Sequence, residues 1–377
     1  MVSADSSVIY HFNGKISGHH GSAHADPGRF PGGAPAVKIF SWSADSSGCG
    51  WYRMQMPSDE LGRRGHEVLT SMQMPDEWLD TADVVIGQRV CMYDPSVRWQ
   101  RIAQHPKRPL MVFELDDDLW QVPPSSEESH AFFSQPGVGQ NLRTNLRLAD
   151  LVTVSTEPLA DIVRPINPNV VVIPNFIPAG VLDLPAPERA DDRFVVGWAG
   201  SSTHAMDWDE AAPQLARWLK RNPAAVYHAI GGTFPSQRKF PRDRLRVTGW
   251  VDGIWDYYEA LGAFDIALAP LHPHVFNQSK SWLKALEAAT RGLPIVASDV
   301  GPYPAFVRHG ETGLLVTRPH EWSKALTDLV LDTSMRAEMS AAARHLAAQH
   351  TIEGNGHLWE DALLSNLTTA VTRKEAS

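Results

Sequence analysis

From Ala36 onward, short apolar runs rich in Val, Ile and Leu alternate with longer stretches in which apolar residues recur every three to four positions. Runs of the first kind suit strands buried on both faces, and the second pattern is that of helices with one apolar face. In the first half the expected strands are AVKIFSW, HEVLTS, ADVVIGQR, RPLMVFELD, DLVTVST and VVVIPN. A helix over WYRMQMPSDELGRRG closes at Gly65, and NLRTNLRLA forms another ahead of DLVTVST. The stretch from Pro174 to Asp192 holds four prolines and little periodicity, as a linker does. A second strand series follows: RFVVGWAGS, AVYHAIGG, RLRVTGWV, FDIALAP, LPIVASD and TGLLV. Its helices are DEAAPQLARWLKRNP, WLKALEAATRG, HEWSKALTDLVLD, MRAEMSAAARHLAAQ and GHLWEDALLSNLTTAV. Strands alternating with helices predict an α/β protein with two parallel sheets, two Rossmann-like halves facing across a cleft.

The division expected is a flexible arm over 1–35, a first domain over 36–175, a linker over 176–192, a second domain over 193–352, and a terminal helix over 353–377 able to pack back on the first domain. The arm is rich in Gly, Ser, His and Pro and has no sustained apolar period, so it cannot offset its ordering entropy. His19, His20 and His24 within it read as a solvated tail rather than a metal site. With 377 residues the chain is long for one core and suited to two. Lys and Arg number 34 against 43 Asp and Glu, a net charge of -9, which disfavours a broad nucleic-acid grip. Two cysteines, Cys49 and Cys91, make neither a zinc pattern nor a disulfide framework, and a cytoplasmic setting is expected. Neither a signal peptide nor a membrane span is expected.

Candidate chemistry lies at the strand ends, where parallel sheets bind ligands. After the first strand, Gly48 and Gly50 flank Cys49 and lead into a helix, so backbone N–H groups can approach a phosphate or a sugar hydroxyl. A tight strand-to-helix turn explains the same residues equally well. The glycine fingerprint of dinucleotide sites and the Gly-Lys-Ser/Thr of a P-loop are both missing. In the second half, Gly200, Ser201, Ser202, Thr203 and His204 offer room, hydroxyls and an imidazole, with a helix expected soon after whose dipole favours an anion. In NQSKSWLKALEAATRG, Lys280, Lys284 and Glu287 are spaced by four and three residues, on one face of an expected helix. Two cations and an acid after a loop suit a nucleoside diphosphate sugar, although an exposed ion pair has the same spacing.

The run LEAATRGLPIVASDVGPYPAFVRHGETGLLV resembles the C-terminal donor-site signature of GT-B glycosyltransferases, particularly the large retaining group of family four. VIPNFIP and FDIALAP are similar to that family's linker entry and pre-donor strand. The resemblance implies glycosyl transfer from a nucleotide sugar to a hydroxyl acceptor of unspecified kind, such as a glycan, a protein or a modified nucleobase. It implies a metal-free site without a resident cofactor. Glu287 matches the second of the family's paired glutamates, which binds ribose hydroxyls, and Gly301, Pro302 and Tyr303 match its glycine turn. Ser279 stands where the family has its first glutamate. Ser201 to His204 stand where it has an Arg and a Lys on the diphosphate, so the lysines and His204 are expected to supply that charge. Ser281 lies between those lysines, and Trp250 falls where the family contacts the base, though core packing explains a tryptophan as well.

Asp116, Asp117 and Asp118 in LDDDLW have the spacing of a metal motif seen in GT-A enzymes. In a GT-B framework Asp116 is expected instead as a general base or hydroxyl ligand on the acceptor side. SSGCGWYRMQMP with this DDDLW also resembles glycosyltransferases common in phages and actinobacteria. Asp116 and Glu287 are therefore the catalytic candidates. Rival readings are an epimerase or a phosphorylase on the same fold, and an inactive sugar-binding protein, which Ser279 keeps open.

Overall fold

A computed structural model describes residues 36–188 and 191–375; the expected arm over 1–35 lies outside the described residues. The first sheet contains β1 (Lys38–Trp42), β2 (Glu67–Ser71), β3 (Val84–Gln88), β4 (Leu110–Leu115), β5 (Leu151–Val154) and β6 (Val170–Val172). All pairs are parallel, in the order β2-β1-β3-β4-β5-β6. β3 and β4 are buried along their whole length, which is why they read as continuous apolar runs.

The second sheet contains β7 (Phe194–Ala199), β8 (Ala225–Ile230), β9 (Leu245–Thr248), β10 (Ile266–Ala269), β11 (Ile295–Ser298) and β12 (Gly313–Val316). It too is parallel, in the order β12-β11-β10-β7-β8-β9. The chain reverses its winding direction between β1 and β3 in one sheet and between β7 and β10 in the other. Loops diverge at such a point and leave a crevice beyond the strand ends. Each sheet is packed on both faces, as successive residues of β7 illustrate: Val195 joins the layer containing Leu286 and Tyr303, and Val196 the layer containing Trp208 and Leu326.

Two passages join the halves, and they run side by side. Ile177 N–H donates to the His350 carbonyl at 3.0 Å, and Ile352 N–H donates to the Ile177 carbonyl at 2.8 Å. Beyond the return passage, helix His357–Glu375 places Trp359, Ala362 and Leu363 in the same apolar layer as Ile39, Met54 and Val112 of the first half. Arg53 lies 5.1 Å over the Trp359 ring, and Arg64 pairs with Glu360 at 2.9 Å.

The segment after β1 is a one-turn helix Gly48–Gly50, a π turn Trp51–Gln55 and helix Met56–Arg63. Pro57 has no N–H to give the Arg53 carbonyl in an α ladder, and the widened turn accommodates that gap. The turn holds Arg53 inside the first half, where Nε donates to Glu114 at 2.6 Å with both side chains buried. Burial pushes the Glu114 carboxyl up to about 7 against the pull of Arg53. Arg53 Nη1 also donates to the Ile173 carbonyl at 2.6 Å and to Asn175 Oδ1 at 3.1 Å. Asn175 Nδ2 in turn donates to Ser281 Oγ at 2.9 Å, so hydrogen bonds run from the first core into the second half.

Candidate active site

The loops after β7 and β10 flank the switch point of the second sheet, and the expected donor residues gather there. Lys284 Nζ donates to the Ala199 carbonyl at 2.7 Å and lies 5.3 Å from the centre of the Trp198 ring. Gly200 makes this approach possible: a Cβ there would stand 2.8 Å from Lys284 Nζ. Its own N–H is spent in the sheet, donating to the Ile230 carbonyl at 3.0 Å. Ser201 Oγ and Thr203 Oγ1 pair with each other at 2.7 Å. The helix expected soon after this loop, DEAAPQLARWLKRNP, forms as Ala211–Arg221. Two short 3-10 turns, Ser202–His204 and Met206–Trp208, intervene before helix Ala211–Arg221, so no long helix aims its dipole from His204. The local charge comes from side chains instead.

His204 Nδ1 is 2.7 Å from Asp207 Oδ2. Burial pushes this imidazole down to about 4, helped by Lys284 and Lys280 against the pull of Asp207. It is therefore neutral near pH 7 in the donor-free protein, and does not supply the standing positive charge expected of it.

Lys280 is off the helix that was expected to carry it. Helix Leu283–Thr290 begins three residues later, with Ser281 Oγ accepting from Leu283 N–H at 3.4 Å, so Lys280 belongs to the preceding loop. There its Nζ lies 3.6 Å from Asp117 of the first half and 4.3 Å over the Phe276 ring. Lys284 and Glu287 keep their one-turn spacing. Burial pulls the Lys284 ammonium down, with Lys280 adding to this and Glu287 opposing it.

Glu287 is 7% exposed and accepts from Tyr52 Oη at 2.7 Å and from Tyr257 Oη at 2.9 Å. Tyr52 belongs to the π turn of the first half, and its oxygen also meets Tyr258 Oη at 2.8 Å. Since the Tyr52 proton goes to the carboxylate, Tyr258 is the donor to Tyr52. Burial raises the Glu287 pKa against Lys284 and both tyrosines. Ser279 is fully buried, with its hydroxyl on the Phe276 carbonyl at 3.1 Å and its carbonyl accepting from Thr156 Oγ1 at 2.7 Å. Its side chain is thus turned into its own loop.

Gly301 has φ 60, and a Cβ would stand 2.4 Å from the Asn277 carbonyl, so this turn demands glycine. Pro302 opens helix Tyr303–Phe306, and the Tyr303 side chain is buried in the core layer that contains Leu286. Trp250 is 54% exposed, which removes the core-packing reading of that residue.

Across the cleft, Gly50 serves a tight turn: its N–H donates to Asp45 Oδ1 at 3.2 Å, and a Cβ would overlap the Asp45 carbonyl. Gly48 has open space beside its α-carbon. The Cys49 carbonyl accepts from Gln88 Nε2 at 3.1 Å, and burial together with Asp116 pushes its thiol up, which keeps it protonated and unreactive. These residues line the side of the first half and not the donor loops.

The three aspartates diverge. Asp116 faces Arg89, Nε to Oδ1 3.9 Å; Asp117 faces Lys280; Asp118 Oδ1 accepts from Trp120 N–H at 3.2 Å. Among the described residues no group of three or more His, Cys, Asp or Glu side chains is placed to hold a metal ion. Arg89 has φ 46, a left-handed backbone at the end of β3, and it also binds the Asp45 carboxylate. Neither it, nor Tyr52, Tyr257 and Asp207, was singled out in the sequence. For Asp207 the three-residue spacing from His204 was the available signal; for Arg89, its place directly after a switch-point strand.

Two parallel six-stranded Rossmann-like halves with their switch-point crevices brought together are the GT-B fold. Anabaena HepE in complex with UDP-glucose has this fold, with TM-score 0.60 and 16% identity over 86% of this chain and 99% of that one. Sucrose-phosphate synthase from Thermosynechococcus elongatus aligns with TM-score 0.59 and 16% identity over 90% of this chain and 100% of that one. Residues 193–332 match the family described as glycosyl transferases group 1, and this second half is a domain of that family. D-inositol 3-phosphate glycosyltransferase of Stackebrandtia nassauensis is 29% identical over 205 residues, 50% of this chain and 44% of that protein. The Rhodococcus erythropolis protein of the same name is 39% identical over 98 residues, 24% of this chain and 21% of that one. These alignments span less than half the length of either relative. Among the described residues no helix is long and apolar enough to cross a membrane.

Proposed function

We propose that this chain transfers a glycosyl group from a nucleoside diphosphate sugar to a hydroxyl acceptor without a metal ion. The observation that carries the reading is the Lys284, Lys280 and Glu287 set at the β7 and β10 loops of a glycosyl transferases group 1 domain, meeting Asp117 across the cleft at 3.6 Å. In this reading the diphosphate draws Lys280 away from Asp117 and shares Lys284 with the Ala199 carbonyl. Glu287 exchanges the Tyr52 hydroxyl for those of the ribose, and the exposed Trp250 ring stacks on the base. With Ser279 supplying no carboxylate, the acid at the sugar end is Asp116 of the first half. Asp116 takes the acceptor proton as the new C1–O bond forms. The bonding pair of the old C1–O bond leaves with the β-phosphate, which the cations stabilise. Gly48 and Cys49 shape the acceptor side, and Ser281 keeps the donor loop in register through Asn175.

The family match covers residues 193–332 of the donor half, so the acceptor is sought experimentally: a phosphorylated cyclitol is one arm of the panel because of the relatives' names, and glycans, proteins and modified nucleobases are the others. Thermal-shift titration with UDP-, GDP- and ADP-sugars, with and without EDTA, tests the donor reading on wild type and on Glu287→Ala. Stabilisation by at least one nucleotide sugar, unaffected by EDTA and lost in the variant, is expected. A strict metal requirement would overturn it and move the aspartates to the donor. Turnover of donor without acceptor would favour an epimerase, and dependence on free phosphate a phosphorylase.

A further inference from the structure

His204 is held in a setting more elaborate than a loop histidine requires. Asp207 Oδ2 meets its Nδ1 at 2.7 Å. The other Asp207 oxygen accepts from the His272 N–H at 2.9 Å and from Asn277 Nδ2 at 2.9 Å, so this carboxylate is pinned at both ends. A pinned carboxylate at Nδ1 makes that nitrogen the protonated one and leaves the lone pair on Nε2. The ring stands edge-on to Trp198, 5.9 Å between centres, and the same indole carries Lys284 Nζ at 5.3 Å. Imidazole and ammonium therefore share one aromatic wall beside Gly200.

The charged groups acting on His204 come from three elements: Asp207 on its own turn, Lys284 on helix Leu283–Thr290, and Lys280 on the loop before that helix. Glu287 and Asp117 lie beyond, each drawn to one of the lysines. Two cations and burial keep the donor-free ring neutral. A diphosphate entering among the same groups reverses the balance, since its charge offsets both lysines at once.

We propose that His204 takes up a proton on Nε2 as a nucleoside diphosphate sugar binds, and holds the departing β-phosphate as an imidazolium. The proton comes from solvent on binding and returns to it when the nucleoside diphosphate leaves. While the C1–O bond breaks and its electron pair moves to the phosphate, the imidazolium N–H donates to that oxygen. His204 thereby carries a charge that is present with the diphosphate and absent without it. The proposal rests on the donor-site reading given above.

Calorimetric titration separates the two. A sugar nucleotide chosen by thermal shift from UDP-glucose, GDP-mannose and ADP-glucose is titrated at pH 7 in buffers of low and high ionisation enthalpy. Its pyrophosphate diester has no proton to exchange near neutrality, so the buffer difference counts protons taken by the protein. Uptake approaching one proton is expected in wild type. Its affinity should fall up to about tenfold per pH unit from about pH 5 upward until the ring's pKa in the complex is passed. His204→Gln should bind without uptake and with a flat pH profile. Binding by wild type with no uptake overturns the proposal and leaves the donor site standing; unchanged uptake in His204→Gln overturns it as well. Failure of all three sugars to bind overturns the donor-site reading itself and the proposal with it. The wild-type count needs no variant to fold.

Discussion

Tyr52→Phe removes a single oxygen from the contact between the halves, and its cost follows from what that oxygen does. It donates to a buried carboxylate at 2.7 Å and accepts from Tyr258 at 2.8 Å. A hydrogen bond to a charged group contributes about 1.5–3 kcal/mol, and the Tyr258 hydroxyl, buried with it, loses its acceptor as well. Tyr257 still serves the other Glu287 oxygen, which limits the damage. A loss of about 2–3 kcal/mol is expected, seen as a fall in Tm of about 5–10 °C for domains of this size. The assay is urea denaturation of wild type, Tyr52→Phe, Glu287→Gln and the double variant, with Tyr258→Phe to weigh the tyrosine pair alone. The two single changes should couple by about 1 kcal/mol or more, because Tyr52→Phe deletes the donor and Glu287→Gln removes the charge that strengthens its hydrogen bond. Additivity within about 0.5 kcal/mol would refute the argument that Tyr52 and Glu287 hold the halves together. A second consequence concerns the ligand: if ribose replaces the Tyr52 hydroxyl on Glu287, Tyr52→Phe should lower the donor KM, and an increase would count against that exchange.

Asp116→Asn should reduce kcat by about 10²–10⁴ with little loss of Tm, whereas equal turnover would remove Asp116 as the base. Lys284→Met should raise the donor KM and reduce its salt dependence, measured as initial rates between low and high salt. Arg89→Ala deletes the cation facing Asp45 and Asp116 and should lower kcat more than it changes KM; a variant with wild-type kcat would make Arg89 purely structural. Because His204 is pushed down to about 4, the unfolded chain binds its proton first as pH falls. Stability should thus drop by on the order of 2 kcal/mol between about pH 6.5 and 4.5, and His204→Gln should lose that part of the slope in urea titrations.

The parallel sheets were legible because β3, β4, β10 and β11 are buried on both faces and must read as unbroken apolar runs. Helix Tyr93–Ala103 was not, because its buried stripe is Ser96, Trp99 and Ile102, and Pro95 near its start looks like a breaker. The donor half was readable since Lys284, Glu287 and Gly301 sit on consecutive elements of one local unit. Lys280 was misplaced by a helix start that depends on Ser281, held by Asn175 more than 100 positions earlier, and on Trp282, stacked on Phe306. Tyr52 and Glu287 meet across 235 positions, and no spacing along the chain announces such a pair. Arg89 is legible only as a residue; its left-handed backbone is not.

The return of helix His357–Glu375 to the first half bears on how the protein is made. Its Trp359 and Leu363 complete a core whose other walls, apart from Ile352 just before the helix, end at Phe176, roughly 185 residues earlier in the chain. At about 5–20 residues per second, a ribosome takes roughly ten to forty seconds to deliver that last wall. For that interval the earlier half carries an open apolar face while the group 1 domain, contiguous in the chain, can already close. The usual vectorial order of folding is thereby inverted, and the first half to emerge is the last to be sealed.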